Sequence, residues 1–248
     1  MTFVELAEAC NVYQCAEHPM INRHRVQHND LHNFAISLEK FTYDYREELS
    51  DEFWAPVARL FKRRRYLLQA VPLSFSAIAS ADNNLVDKVL PIINRVKSVF
   101  PDMEEDVITL LDLFQRLSAA DDNPIGNFIQ SIFLESYDFS SHSAILIRDS
   151  RWGQAVEDSF GADRRFRKLH VISPEYLRDG SCYENLYCVG PAKWFQNYIF
   201  SAARASSIHL FCFNWIKDRR SIPNPFRVGT TEVISQKSTI NLKSEFIS

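Results

Sequence analysis

NLYCVGPAKWFQNYIFSAARASSIHLFCFNWIKD, residues 185–218, changes its hydrophobic period twice, and those changes decide the fold. Leu186 to Val189 is a short continuous apolar run, the pattern of a strand buried on both faces. Gly190-Pro191 ends it, since Gly permits a tight turn and Pro suits the first helical position. Trp194, Phe195, Tyr198, Ile199, Ala202 and Ala203 then recur by three and four, which places them on one helix face, and Ile208 to Phe213 is a second continuous run. Strand, crossover helix and strand in that order call for a parallel sheet, because parallel neighbours cannot be joined by a hairpin.

The alternation continues upstream. Ala144 to Ile147 reads as a buried strand, Trp152, Val156 and Phe160 as a helix face, Leu169 to Ile172 as a strand, and Ser173-Pro-Glu-Tyr as a capped helical turn. Further towards the amino terminus the period is helical. Thr2-Phe-Val-Glu5 has capping-box form, with Phe3, Leu6, Cys10 and Tyr13 following by three and four. A second helix is expected after His18-Pro19, carrying Leu31, Phe34, Leu38, Phe41 and Tyr45, and a third from Ser50 with Phe53, Val57, Leu60 and Phe61. Residues 72–84 read as a small, polar loop. Leu85, Val89, Ile92, Val96 and Val99, then Met103, Val107, Leu110, Phe114 and Leu117, predict a helical hairpin hinged at Pro101. Turn formers and acids cluster in SAADDNP, residues 118–124, the best candidate boundary. The expected class is α/β: an N-terminal helical region, 1–122, then a Rossmann-like, mostly parallel sheet with flanking helices, 123–218. Residues 219–248 form an extension whose β-branched patches suit an edge pair.

With 248 residues, 46% of them hydrophobic, the chain has enough apolar material for one large domain or two ordinary ones. A formal charge of -3 argues against a wholesale binder of nucleic acid or anionic membrane, although local basic clusters escape that argument. No apolar stretch approaches the roughly 20 residues that span a bilayer, so no membrane association is expected. Five cysteines, an odd number scattered through a long chain, make no secreted disulfide framework and point to the cytoplasm.

Few catalytic patterns survive inspection. A phosphate-cradling loop needs closely spaced glycines, and the six here, Gly126, Gly153, Gly161, Gly180, Gly190 and Gly229, are too far apart for a P-loop or a dinucleotide fingerprint. Ser140-Ser141-His142-Ser143 lacks a nucleophile elbow. Neither catalytic residues nor a cofactor are therefore expected. Position gives a candidate ligand site, because open parallel sheets bind ligands at the carboxyl ends of their strands. That edge collects Arg148, Ser150, Arg151, Ser173, Gly190, Lys193 and Asn214, a set suited to a phosphate or carboxylate. Loop charges and helix caps account for the same residues more simply.

Cys15, His18, His24 and His28 carry zinc-binding donors, and His24, His28 and His32 would share a face of one helix. The usual paired spacing of structural zinc is absent, which favours solvated or interface histidines. Three basic clusters remain: Lys62-Arg63-Arg64-Arg65, then Arg164, Arg165, Arg167 and Lys168, and finally Arg219 with Arg220. Each has an aromatic neighbour, so phosphate neutralisation with base stacking is chemically accessible, against the alternative of solvated helix faces.

Asn123-Pro-Ile-Gly126, the run AILIRDSR at 144–151, and the VGP turn leading through an aromatic helix to Arg204 and Trp215 resemble the helicase-like α/β domain of anti-phage defence proteins of the DISARM E-protein type. The resemblance covers residues 123–218 and implies a bacterial defence accessory working with nuclease or helicase partners. Without the ATP-binding loop, such a relative would be non-catalytic. The expected function is thus an accessory or interaction protein of a bacterial assembly, with protein partners and a nucleic-acid association. The alternative is a sensor or enzyme holding a phosphorylated small molecule at the sheet edge.

Overall fold

The computed structural model describes residues 20–47, 54–81, 89–91, 93–94, 101–135, 142–167, 169–179, 181–201 and 204–218. Two compact units divide the chain: His28–Asn127 is one, and the segments Met1–Gln27 and Phe128–Ser248 together make the other.

The second unit is built on a five-stranded sheet of β1 (Met20–Val26), β2 (Ser143–Leu146), β3 (His170–Ile172), β4 (Tyr183–Val189) and β5 (Ala205–Phe213), in the order β1-β5-β4-β2-β3. Every pairing is parallel, as the continuous apolar runs and crossover lengths require. One face is an aliphatic layer in which Ala144, Leu146, Leu186, Cys188, Ile208 and Leu210 pack with Leu177, Phe195, Ile199 and Phe200. The opposite face is aromatic and partly polar. There Tyr187 and Phe211 meet Phe128 and Phe133, with Phe166 packed at a tilt against Phe133.

The presence of β1 corrects the boundary expected at residue 122, because a strand from the presumed helical half completes the sheet. MINRHRV buries only Val26 fully. An edge strand has one covered side, so it shows none of the continuous apolar run that betrays β4 and β5. Two further differences have local causes. Residues 192–201 do not form one helix: a 3-10 turn at Ala192–Trp194 ends in extended backbone at Phe195, ψ 155°, before a short helix at Tyr198–Ser201. Phe195 and Ile199 still reach the same core, so the helical period survived while the helix did not. Within the expected loop 72–84, Phe75–Ala81 is helical, started by Ser74, whose Oγ accepts from the Ala77 N–H at 3.2 Å.

The helical unit contains α1 (Asn29–Asp44), α2 (Trp54–Ala70), α3 (Phe75–Ala81) and α4 (Pro101–Ser118), and α5 (Pro124–Glu135) begins within it. The predicted stripes are buried: Leu31, Phe34, Leu38 and Phe41 on α1, Val57 and Phe61 on α2, and Met103, Val107, Leu110, Phe114 and Leu117 on α4. The SAADDNP segment is pinned in place by its own asparagine. Buried Asn123 donates through Nδ2 to the Val71 and Leu73 carbonyls at 3.0 and 2.8 Å and caps α5 by accepting from the Ile125 N–H at 2.9 Å. In the α/β unit, α6 (Gly153–Gly161) follows β2 and packs on β3, and α7 is the short helix Tyr198–Ser201. No helix among the described residues is long and apolar enough to cross a membrane. The amino-terminal segment through Pro19, the start of the third helix at Ser50 and Phe53, most of the Leu85–Val99 stripe and the extension from Arg219 lie outside the described residues.

Candidate functional site

Because all five strands run the same way, the loops after β2, β3, β4 and β5 gather on one edge of the sheet, and the candidate ligand residues with them. The chain leaves β2 towards β3 on one side and leaves β4 towards β5 on the other. The gap between β2 and β4 is therefore a topological switch point, where open α/β sheets place ligands. Arg148, Ser150 and Arg151 flank it from one strand, and Gly190 and Lys193 from the other.

Several of these residues already have internal duties. Asp149, not Ser150, caps the 3-10 turn at Ser150–Trp152, accepting from the Arg151 N–H at 3.3 Å. Its carboxylate also accepts from Arg151 Nε at 2.8 Å and forms an ion pair with Nη2, so that cation is neutralised locally. Ser173 accepts from the Tyr176 N–H through its carbonyl, and Asn214 donates from its backbone to the Val26 carbonyl. Gly190 sits at φ 127°, and a Cβ there would lie 2.4 Å from the Trp194 ring. Beyond it, the Ala192 N–H donates to Asp218 Oδ2 at 2.8 Å. Asp218 has a side chain only 2% exposed and faces Arg23 Nη1 at 3.6 Å. A carboxylate of the chain itself thus takes the N–H that a bound anion would use. Lys193 is exposed beside this arrangement.

The histidines do not assemble as a metal-binding helix face. His24 lies on β1, while His28 precedes α1 and caps it, its Nδ1 accepting from the Leu31 N–H at 3.2 Å. Strand and cap point by different rules, so the four-residue spacing brings no shared face. Cys15 and His18 fall outside the described residues, among which no group of three or more metal-binding side chains occurs. His24 instead joins a part-buried polar chain: its Nε2 is 3.0 Å from His209 Nδ1, and His209 Nε2 is 3.0 Å from Ser207 Oγ. Burial, with a smaller contribution from His24, pushes the His209 pKa down to about 4. Cys212 is pushed up to about 11 by burial, and burial likewise raises Cys188, so neither thiol is primed as a nucleophile. His142 is exposed in the loop before β2, and Ser143 is buried as that strand's first residue.

The basic clusters separate on inspection. Arg64 falls on the buried stripe of α2, seven residues after Val57, and is 2% exposed, its guanidinium 5.8 Å from the Phe114 ring centroid. It is a core residue, which removes it from the candidate surface. Arg63 is exposed on the outer face of α2. Arg164, Arg165 and Arg167 are exposed around a 3-10 turn, where Asp163 binds Arg165 at 2.6–3.1 Å. Hydrogen bonds from Arg165 hold the Asp163 carboxyl below its ordinary range. Lys168, Arg219 and Arg220 lie outside the described residues.

Lys62 and Arg65 enter a different arrangement. They face Glu39, Thr42, Tyr43 and Arg46 across a groove of about 370 Å³ whose apolar wall is Leu38. Glu39, Thr42 and Tyr43 occur at i, i+3 and i+4 on α1, Arg46 lies in the turn just past that helix's end, and Lys62 and Arg65 occur at i and i+3 on α2. Three cations meet one acid: Glu39 pairs with Arg65 at 2.9 Å. Tyr43 is 76% exposed. Sequence reasoning overlooked Glu39, Thr42, Tyr43 and Arg46; the available signal was an aromatic residue on the polar face of an otherwise well-patterned helix.

No protein-family model, curated protein or solved structure matches this chain.

Proposed function

We propose that the protein is a non-catalytic accessory of a bacterial assembly that associates with nucleic acid. The observation supporting this most directly is the α1–α2 groove, where Arg46, Lys62 and Arg65 outnumber Glu39 beside an exposed tyrosine. Cations concentrated on one surface neutralise phosphates and release counterions even when the whole chain is acidic. The resemblance of residues 123–218 to a helicase-like domain without its ATP-binding loop supports the accessory role and its defence setting. Fluorescence anisotropy with labelled oligonucleotides tests the reading. Binding is expected at about 50 mM salt, with log K falling against log[salt] at a slope of about −1.4 on a single strand, for the two groove cations, Arg46 and Lys62, that Glu39 leaves unpaired. Absence of binding at that salt concentration overturns it.

The second reading, a phosphorylated small molecule at the sheet edge, is favoured by the β2–β4 switch point between Ser150 and Lys193. A thermal shift produced by a phosphorylated metabolite, and lost in an Arg151→Ala, Lys193→Ala double variant, is its expected signature. An unshifted panel counts against it.

A further inference from the structure

A charged groove that served only to attract phosphate would gain nothing from a tyrosine. The last turn of α1 nevertheless carries Tyr43, four residues after Glu39 and just ahead of Arg46 in the turn beyond, with three-quarters of the residue open to solvent. Burial is not the reason for its position, because the apolar stripe of α1, Leu31, Phe34, Leu38 and Phe41, is complete without it. Around the ring, Leu38 supplies an apolar wall, and the Glu39 carboxylate holds Arg65 Nη1 at 2.9 Å, fixing one cation at the groove side. Neither Arg46 nor Lys62 has an ion-pair partner among the described residues, which leaves both for phosphate oxygens. The groove's volume lies at the lower end of the roughly 300–1,000 Å³ that seats a compact planar ligand.

We infer that this groove takes an unpaired nucleotide of a single-stranded nucleic acid, stacking its base on Tyr43 while Arg46 and Lys62 hold the adjoining phosphates and Arg65, held by Glu39, lines the groove side. The inference rests on the nucleic-acid reading above and narrows it. A paired base is already stacked between its neighbours and presents only its edge, so a lone aromatic ring beside cations selects strands whose bases are free. Stacking on a ring tolerates any base, because every base has a π-face, so discrimination by sequence is expected to be small.

The test uses the full chain and a fluorescent oligonucleotide, single-stranded or annealed to its complement, titrated across a salt series. Tyr43→Ala is expected to weaken single-strand binding by roughly 5- to 150-fold, the equivalent of about 1–3 kcal/mol of base stacking, while leaving the salt slope unchanged. Tyr43→Phe, which keeps the ring, is expected to bind like the parent. Arg46→Ala is expected to reduce the slope by about 0.7, one phosphate contact on a single strand. The duplex is expected to bind more weakly and to be indifferent to Tyr43→Ala. Because Tyr43 is exposed, its replacement leaves the helix intact, which an unchanged circular-dichroism melt verifies. Parental affinity in Tyr43→Ala, or equal affinity for duplex and single strand, overturns this inference while Arg46 and Lys62 dependence still upholds the broader reading. No binding of either oligonucleotide overturns both.

Discussion

His209 shows how one side chain ties the fold to solution conditions. It sits mid-strand on β5, with Asn22 opposite it on β1 and Tyr187 on β4, and links His24 to Ser207 through its two ring nitrogens. Which nitrogen of each ring donates depends on its tautomer, and what holds His209 neutral is its burial, which disfavours the charged ring, with a smaller contribution from His24. Its pKa is about 4 in the fold, against an ordinary value of 6.5. Between those values the unfolded chain binds the extra proton and the folded chain does not. Stability from this group is therefore complete above pH 6.5, declines as the pH falls and levels off below about 4, a loss on the order of 3 kcal/mol. Urea unfolding between pH 7 and 4 measures it, and His209→Gln is expected to flatten that dependence. Little of this was legible in the sequence, where His209 interrupts an apolar run without naming a partner; the partner comes from β1, 185 positions away.

At the scale of elements, β2, β4 and β5 could be read directly because strands covered on both faces carry near-continuous apolar runs. The edge strand β1 could not, since Asn22, Arg23, His24 and Arg25 occupy four of its seven positions. Its arginines serve the strand ends: Arg25 donates to the Ile216 carbonyl at 2.8 Å and to Cys212 Sγ at 3.1 Å, and Arg23 faces Asp218. The broken helix after β4 was misread for another reason. The turn begins at Gly190 with φ 127°, a conformation that side chains rarely adopt, and closes with Trp194 packed where a Cβ would stand. Such geometry is set by tertiary contact, which periodicity does not encode. Gly190→Ala is expected to cost at least about 2 kcal/mol from the strained φ and the clash with the Trp194 ring. A lowered urea midpoint with an unchanged m-value would record it; a midpoint equal to the parent's would mean that the turn relaxes freely.

At the scale of the whole molecule, the helical unit His28–Asn127 is inserted between β1 and the rest of the α/β unit, so the two units are not simply consecutive in the chain. Each has its own core, and each carries one of the two candidate sites: the groove of Tyr43, Arg46, Lys62 and Arg65, and the β2–β4 switch point. The sequence marked Lys62-Arg63-Arg64-Arg65 as one basic cluster but could not show which of the four turns inward, because that depends on the helix phase set at Val57 and Phe61. It gave the sheet edge from strand direction alone, yet could not reveal that Asp218 already occupies the Ala192 N–H. Hydrogen exchange of the full chain with and without a saturating single-stranded oligonucleotide tests whether the α1–α2 groove is where nucleic acid binds. Slowed exchange is expected in the peptides spanning 39–46 and 62–65, with residues 148–151 and 190–193 unchanged. Protection confined to the sheet edge, or no protection in either helix of the groove, would contradict it.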